Sequence, residues 1–492
     1  MNPQAFDLLQ KLRHELGEAH VLTADTADTL AAYESDWRGR ERGRALCVAR
    51  PSSAAQVVAV VRLCALARAE GFGLSIVPQG GNTGLVLGST PDDSGLQVVL
   101  SLQRMNKIRA LDAANLTITV EAGCILQNVQ TAARDAGFLF PLSLAAEGSC
   151  TIGGNLGTNA GGTQVLRFGN ARDLCLGLEV VTAQGEILEG LTGLRKDNTG
   201  YDLRHLMIGS EGTLGIITAA TLKLAPLPAA SLTAWAALPN LQAATDFLAL
   251  AQKRLASSLT GFEVMGQFAL SLVVKHFPQQ KMPLWPGSSS SAPYSVLLEL
   301  SDAENEQHAR AMLESLMEQA LESEIISDAV ISESIAQAKA LWHIRESIPL
   351  AQAQEGLNIK HDISLPISKI PAFCEATDAQ LQAAISGVRL VNFGHVGDGN
   401  LHYNVQCPEG ADAAVFMRDH ESQINKIVYD GVLAHGGSIS AEHGVGSLKR
   451  DELPHYKSAV ALSMMRSIKV ALDPQGLLNP RRVVSIESFD NR

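Results

Sequence analysis

The stretch EGSCTIGGNLGTNAGG, Glu147 to Gly162, carries six glycines in 16 residues, mixed with Thr, Ser and Asn. Glycine inside a helix or strand costs about 0.5–1 kcal/mol relative to alanine. This density therefore predicts neither element, but a segment in close backbone contact with something else. Two further clusters flank it. PQGGNTG, Pro78 to Gly84, directly follows the apolar run LSIV at 74–77. Its glycines suit backbone N–H groups converging on an anion, with Asn82 and Thr83 as short side-chain donors, and a plain glycine-rich turn fits the same letters. It lacks the Lys of a P-loop and does not follow the G-x-G-x-x-G spacing. The third cluster, IGSEGTLGIIT at 208–218, leads into another apolar run. Three such clusters in one region favour a large phosphate-bearing cofactor gripped at many points over three unrelated loops.

Around the clusters the chain reads as mixed helices and strands. Helical spacing is present at 5–17 and 54–70, and β-like runs at 74–77, 96–102, 117–121, 176–182 and 213–224. After APLPAA at 225–230 come strands near 231–238, 259–265 and 294–300, with helices at 241–255 and 303–321. PGSSSSAP at 286–293 reads as a surface loop. Helices at 333–354, 368–384, 412–435 and 456–472 follow, with a strand at 358–365 and a strand pair about a tight turn at 388–406. The 492 residues suggest about three folding units.

Net charge is −12, with 39 Lys+Arg against 51 Asp+Glu, which argues against a nucleic-acid binder. The seven cysteines form no C-x-x-C pair, so neither a disulfide framework nor a thiolate zinc site is expected. The N-terminus lacks a signal-peptide layout, and the most apolar region, 216–239, is broken by Lys223, Pro226 and Pro228. These features lead us to expect a cytoplasmic protein with no transmembrane segment.

VNFGHVGDGNLHYNV, Val391 to Val405, contains Asp398-Gly399, a strong two-residue hairpin signal. That turn sets Gly397 opposite Asn400 and His395 opposite His402, with Cβ atoms about 4.5–5.5 Å apart. Asn404 falls on the same face as His402. SAEHGVGSLK at 440–449 offers Glu442 and His443. Two His and one carboxylate with an open position is a divalent-metal pattern, while ordinary hydrogen-bonded hairpin histidines are the alternative. His435, at the end of a helical run, reads as a helix-terminus residue. Arg345 on a helix and Lys360 on the next strand read either as solvated charges or as carboxylate anchors.

The three clusters, in this order and spacing, resemble the flavin-linked oxidases of the vanillyl-alcohol oxidase type, from about residue 45 to the C-terminus. The closest branch resembles the FAD-linked D-2-hydroxyacid dehydrogenases, in particular those acting on D-2-hydroxyglutarate. The resemblance implies an α+β fold with a two-part PCMH-type FAD domain and a cap with an antiparallel sheet. The expected boundaries are an N-terminal helical segment at 1–45, the FAD domain at 46–226, the substrate cap at 227–440, and a segment at 441–492 completing the site. It implies FAD contacts at Pro78, Gly80, Gly81, Asn82, Thr83 and Gly84. The second cluster would contribute Gly148, Ser149, Thr151, Ile152, Gly154, Thr158, Asn159 and Gly161, with Glu211, Gly212, Ile217 and Asn479 added. No His occurs between His20 and His205, so the FAD is expected to be noncovalent. In LLNPRRV, Leu477 to Val483, Arg481 stands where the family pattern has Gly.

The resemblance further implies a divalent metal, Zn2+ or Mn2+, on His395, His402 and Glu442. His443 is implied as base or substrate-orienting residue, Arg345 and Lys360 as grips on a distal carboxylate, and Asn404 as a residue near the substrate. A Thr that assists those relatives is Pro349 here. The expected reaction is oxidation of a D-2-hydroxyacid, D-2-hydroxyglutarate first and D-malate as a shorter version, to the 2-oxoacid. D-lactate or glycolate is the alternative. An electron-transfer flavoprotein or a quinone is the expected acceptor, and a homodimer the expected assembly.

Overall fold

The structure is a computed structural model describing residues 2–24, 27–285 and 292–486. The chain divides into two compact units. One comprises residues 1–161, 169–226 and 442–492; the other comprises 162–168 and 227–441.

The first unit holds two main sheets. The smaller has the order Val21–Leu22, Ala45–Ala49, Gln97–Ser101, Ser75–Gln79, and its last three strands run parallel. Parallel neighbours need a crossover. Helix Ala54–Ala69 supplies it, capped by Ser53 and burying Val57, Val60, Val61 and Cys64. Ser75–Gln79 therefore delivers PQGGNTG at the carboxyl end of a parallel strand, where such sheets bind ligands. The C-terminal segment extends this edge: Leu478 bridges to Ile76, and the Asn479 N–H donates to the Ile76 carbonyl at 2.7 Å.

The second sheet is antiparallel, in the order Ile108–Asp112, Thr117–Glu121, Ile216–Lys223, Cys175–Val181, Ile187–Gly190. Ile108–Asp112 has almost no buried side chain, so it carries no apolar signal to read.

One expectation fails here. Helix Ile152–Thr158 runs through the middle of the glycine cluster that predicted irregular backbone. The glycines are there for proximity: a Cβ on Gly153 would lie 2.6 Å from the Ala122 Cβ. Close packing against a neighbouring segment outweighs the intrinsic penalty of glycine in a helix.

The second unit is built on one antiparallel sheet. Its order is Asp328–Ile331, Ala230–Leu238, Tyr294–Asp302, Leu259–Gly266, Arg389–Gly394, Asn400–Gln406, Asn358–Ile359, and Asp362–Ser364 also pairs with Asn400–Gln406. Side chains alternate. Trp235, Leu297, Met265 and Phe393 share a core with helices Gln267–His276 and Ile335–Glu355, while Phe262 meets Phe247 of Leu241–Leu255. The predicted strand at 358–365 is broken at Lys360 and His361. Most of the predicted serine-rich loop, 286–291, lies outside the described residues. Among the described residues, no helix is long and apolar enough to cross a membrane, and all seven cysteines are buried and form no disulfide.

The hairpin differs from the two-residue turn expected at Asp398-Gly399. Phe393, not His395, pairs with His402, and a 3-10 turn at Val396–Asp398 widens the loop. The register has moved by two residues. Because the side-chain period is two, the face is preserved, and both histidines still point the same way.

A buried ion pair locks the C-terminal segment. Lys469 Nζ donates to Asp473 Oδ2 at 2.6 Å and to the Thr213 and Leu478 carbonyls at 2.7 Å, and Asp473 accepts the Leu477 and Leu478 N–H groups. Removing one partner of such a pair leaves a buried charge, at a cost of about 3–5 kcal/mol. Lys469→Met is expected to lower the unfolding free energy of this unit by that amount in a denaturant titration; a change below 1 kcal/mol contradicts the assignment.

Candidate active site

The first unit contains an open cleft of about 1410 Å³, counted with its mouth. Of the predicted cofactor residues, Pro78, Gly80, Gly81, Asn82, Thr83, Gly84, Thr151, Gly154, Thr158, Gly161, Glu211, Gly212 and Ile217 line it, as do Glu442 and His443. Gly148, Ser149, Ile152, Asn159 and Asn479 are not among its lining residues. Ile152 is core, Asn159 closes the short helix at φ 53°, and its Oδ1 accepts the Arg172 N–H.

The cleft walls fit a polar, closely approaching ligand. A Cβ on Gly81 would lie 2.1 Å from the Ser149 carbonyl oxygen, so the first two clusters touch through bare backbone. A Cβ on Gly84 or Gly157 would meet nothing within 4 Å, which leaves the adjoining backbone open to approach. Thr151 Oγ1 and Asn155 Nδ2 are buried in the wall with no hydrogen-bond partner among the described residues. Buried polar atoms are normally satisfied, and a bound dinucleotide would satisfy them. The Asn82 side chain is engaged within the protein. Its amide donates to the Ser35 carbonyl at 2.8 Å and accepts from Ser89 Oγ, fastening the loop.

Sequence reasoning missed Leu85, Val86, Gly88, Leu144 to Ala146 and Asn155 of the lining. The first three simply continue PQGGNTG, a continuation that could have been read.

Glu211 lines the cleft and also holds a neighbouring turn. Its two carboxylate oxygens accept the N–H groups of Val445 and Gly446 at 2.7 and 2.8 Å. Burial pushes its carboxyl up from the usual range, against the opposing pull of those donors, Lys449 and Arg482. The Ser447 N–H donates to the Val86 carbonyl, and the Val483 N–H to the Gly446 carbonyl. The turn after Glu442 and His443 is thus bolted to the loop that follows PQGGNTG. Asn479 braces the same corner, its Nδ2 donating to the Gly88 and Glu211 carbonyls at 2.8 Å. Arg481 takes φ 61°, the left-handed region glycine favours, at a cost of about 1–2 kcal/mol. Its neighbour Arg482 is buried and donates to the Thr90 carbonyl at 2.5 Å, tying the segment down.

In the second unit, three polar side chains share one sheet face, and a fourth, Arg345, reaches them from helix Ile335–Glu355. The rings of His395 and His402 have centroids 5.4 Å apart. Glu263, fully buried on Leu259–Gly266, lies opposite His395 when the Val264–Gly394 register is extended by one pair. Its Oε1 accepts from His395 Nδ1, and its Oε2 accepts from Arg345 Nε at 2.6 Å. Burial alone would raise the Glu263 carboxyl, but the charges and hydrogen bonds of His395 and Arg345 outweigh it and hold it at about 2. A carboxylate can only accept, so Nδ1 carries the hydrogen, and in the neutral form of the ring it is Nε2 that holds the lone pair. The Arg345 guanidinium lies 4.7 Å from the Phe393 ring centroid, and the Phe393 ring packs on His402. Two imidazoles beside each other, one oriented through its far nitrogen by a carboxylate, fit the donor set of a divalent metal.

Of the remaining predicted residues, Lys360 is exposed on the break between two strands. Asn404 is buried, its Oδ1 accepting the His361 N–H and its Nδ2 donating to Gln352 Oε1, so its amide is largely engaged within the sheet. His435 caps helix Ala413–Ala434, with Nδ1 at 2.8 Å from the Gly431 carbonyl, as its position suggested. The Ala441 N–H donates to the Asp362 carbonyl, so the residue preceding Glu442 is anchored on the second unit's sheet. Pro349, inside helix Ile335–Glu355, has no N–H to give the Arg345 carbonyl.

Comparison with known proteins fits this arrangement. Residues 45–190 match the FAD binding domain family, and residues 227–483 match the C-terminal domain of FAD-linked oxidases. D-2-hydroxyglutarate dehydrogenase of Xanthomonas citri pv. viticola is 41% identical over 462 residues, covering 94% of both chains. The mitochondrial D-2-hydroxyglutarate dehydrogenase of Arabidopsis thaliana is 37% identical, covering 97% of this chain and 81% of its own. That of Danio rerio is 36% identical, covering 94% and 83%. Among solved structures, p-cresol methylhydroxylase with substrate bound superposes with a TM-score of 0.73 at 16% identity, covering 98% of this chain and 97% of its own, a likeness of fold. The chain belongs to the FAD-linked oxidases with a PCMH-type FAD domain, and within them to the FAD-dependent D-2-hydroxyacid dehydrogenases.

Proposed function

We propose that the protein oxidises D-2-hydroxyglutarate to the 2-oxoacid, using a noncovalent FAD in the first unit's cleft and a divalent metal held by His395, His402 and Glu442. The observation that carries this reading is a buried guanidinium brought by helix Ile335–Glu355 against the sheet face that bears the histidine pair: Arg345 is 6% exposed, with Nε donating to Glu263. Its two terminal nitrogens remain for a planar carboxylate, a geometry for which guanidinium is suited. Lys360 adds a point charge.

In this reading Arg345 and Lys360 hold the distal carboxylate and so fix the distance to the reacting carbon. The histidine pair and Glu442 bind the hydroxyacid end; Glu442 follows directly on Ala441, which is bonded to the sheet. His443 takes the 2-hydroxyl proton on a ring nitrogen, and Glu211 keeps its turn in place. A divalent metal, when bound, lowers the pKa of that hydroxyl. FAD, when bound, supplies the acceptor for the hydrogen that leaves the substrate carbon as hydride. An electron-transfer flavoprotein or a quinone then takes the two electrons.

Anaerobic addition of substrates to the purified flavoprotein tests the reading. D-2-hydroxyglutarate and D-malate are expected to bleach the flavin band rapidly, with the L-enantiomers inert and the rate lost on chelation and restored by Zn2+ or Mn2+. Bleaching mainly by D-lactate or glycolate would remove the dicarboxylate assignment. Arg345→Met is expected to raise KM for D-2-hydroxyglutarate about 10–100-fold, the loss of charged hydrogen bonds of roughly 1.5–3 kcal/mol. An unchanged KM contradicts the anchor. Glu211→Gln leaves one acceptor for two backbone donors, so kcat is expected to fall about tenfold at unchanged flavin content; a wild-type kcat would show that the turn needs no such hold.

A further inference from the structure

We infer that Glu263 is a positioning residue that fixes one metal-binding histidine and the distal-carboxylate anchor with a single carboxylate, and so couples metal binding to the recognition of dicarboxylates. The inference rests on the metal and Arg345 assignments above. Glu263 is the acidic residue of an otherwise uncharged strand, LTGFEVMG, buried at every position. Its own side chain is fully buried. Its two oxygens divide between two donors, Oε1 to His395 Nδ1 and Oε2 to Arg345 Nε. A hydrogen bond from the far nitrogen of a ligating histidine to a carboxylate fixes the tautomer and raises the basicity of the ligating nitrogen. The same contact on Arg345 occupies Nε and fixes the guanidinium against Glu263.

Both partners donate, so the position needs two acceptors. A carboxylate provides them and an amide provides one. Glu263→Gln must therefore lose either the histidine contact or the arginine contact. Glu263→Asp keeps both acceptors but draws them back by one methylene.

The test uses flavin-loaded protein. Zn2+ or Mn2+ alone is titrated calorimetrically into chelator-stripped wild type, E263Q and E263D, and steady-state kinetics then follow at saturating metal. E263Q is expected to bind the metal roughly 10–100-fold more weakly. Saturating metal should restore kcat, while KM for D-2-hydroxyglutarate stays raised at least fivefold and KM for D-lactate, which has no distal carboxylate, does not move. E263D should fall between E263Q and wild type in both readouts. A merely structural role would lower thermal stability without this split between the two substrates.

Folded E263Q with wild-type metal affinity and wild-type KM for the dicarboxylate overturns the proposal. If E263Q does not fold, E263D decides, and wild-type values for it overturn the proposal equally. A wild-type protein that takes up no metal overturns the site reading and this proposal with it, an outcome visible before any variant is compared.

Discussion

A buried carboxylate that must satisfy two donors organises the second unit. Desolvating Glu263 is costly, and the cost is offset because His395 and Arg345 each give it a hydrogen bond. The consequence is geometric. Strand Leu259–Gly266, the hairpin strand Arg389–Gly394 and helix Ile335–Glu355 each contribute to one cluster, so their mutual register cannot slip without orphaning a charge. Phe393 lies between Arg345 and His402, so the guanidinium from the helix and the histidine pair on the sheet pack against one ring.

The first unit solves a different problem with the same economy. Glycine brings backbone segments into contact where no side chain fits, as at Gly81 and Gly153. The resulting cleft then needs its rim fastened. Glu211, Asn479 and Arg482 do so by accepting or donating to main-chain groups of the 85–90 and 442–448 segments. The loop that follows PQGGNTG and the turn that follows His443 thus form one hydrogen-bonded corner on the rim of the cleft.

Most strands and helices were legible from apolar periodicity, because nearly every strand has a buried face and most long helices begin at a capping side chain such as Ser53, Asn240 or Asn305. Ile108–Asp112 was missed because its side chains are largely exposed. The glycine clusters announced the cleft, yet the helix inside one of them was hidden, since glycine chosen for proximity reads like glycine chosen for a turn. Asp398-Gly399 pointed to a hairpin and misplaced its register by two; the histidines stayed together because an even shift preserves the face. Arg345 and the histidines could be picked out as chemistry-bearing residues. Glu263, 82 residues from Arg345 and 132 from His395, could not be paired with them from spacing. Its signal was subtler: a lone acid in an apolar strand demands a buried partner.

The central claim is that the His395–Glu263 contact presents Nε2 of His395 to a divalent metal. Diffraction from crystals of the zinc-loaded protein, with data collected on both sides of the zinc absorption edge, tests it directly. The expected result is an anomalous peak about 2.0–2.1 Å from His395 Nε2, shared with His402 and Glu442, with Nδ1 still turned to Glu263. A peak bonded to His395 Nδ1 with Glu263 displaced, or zinc bound only elsewhere, would contradict it.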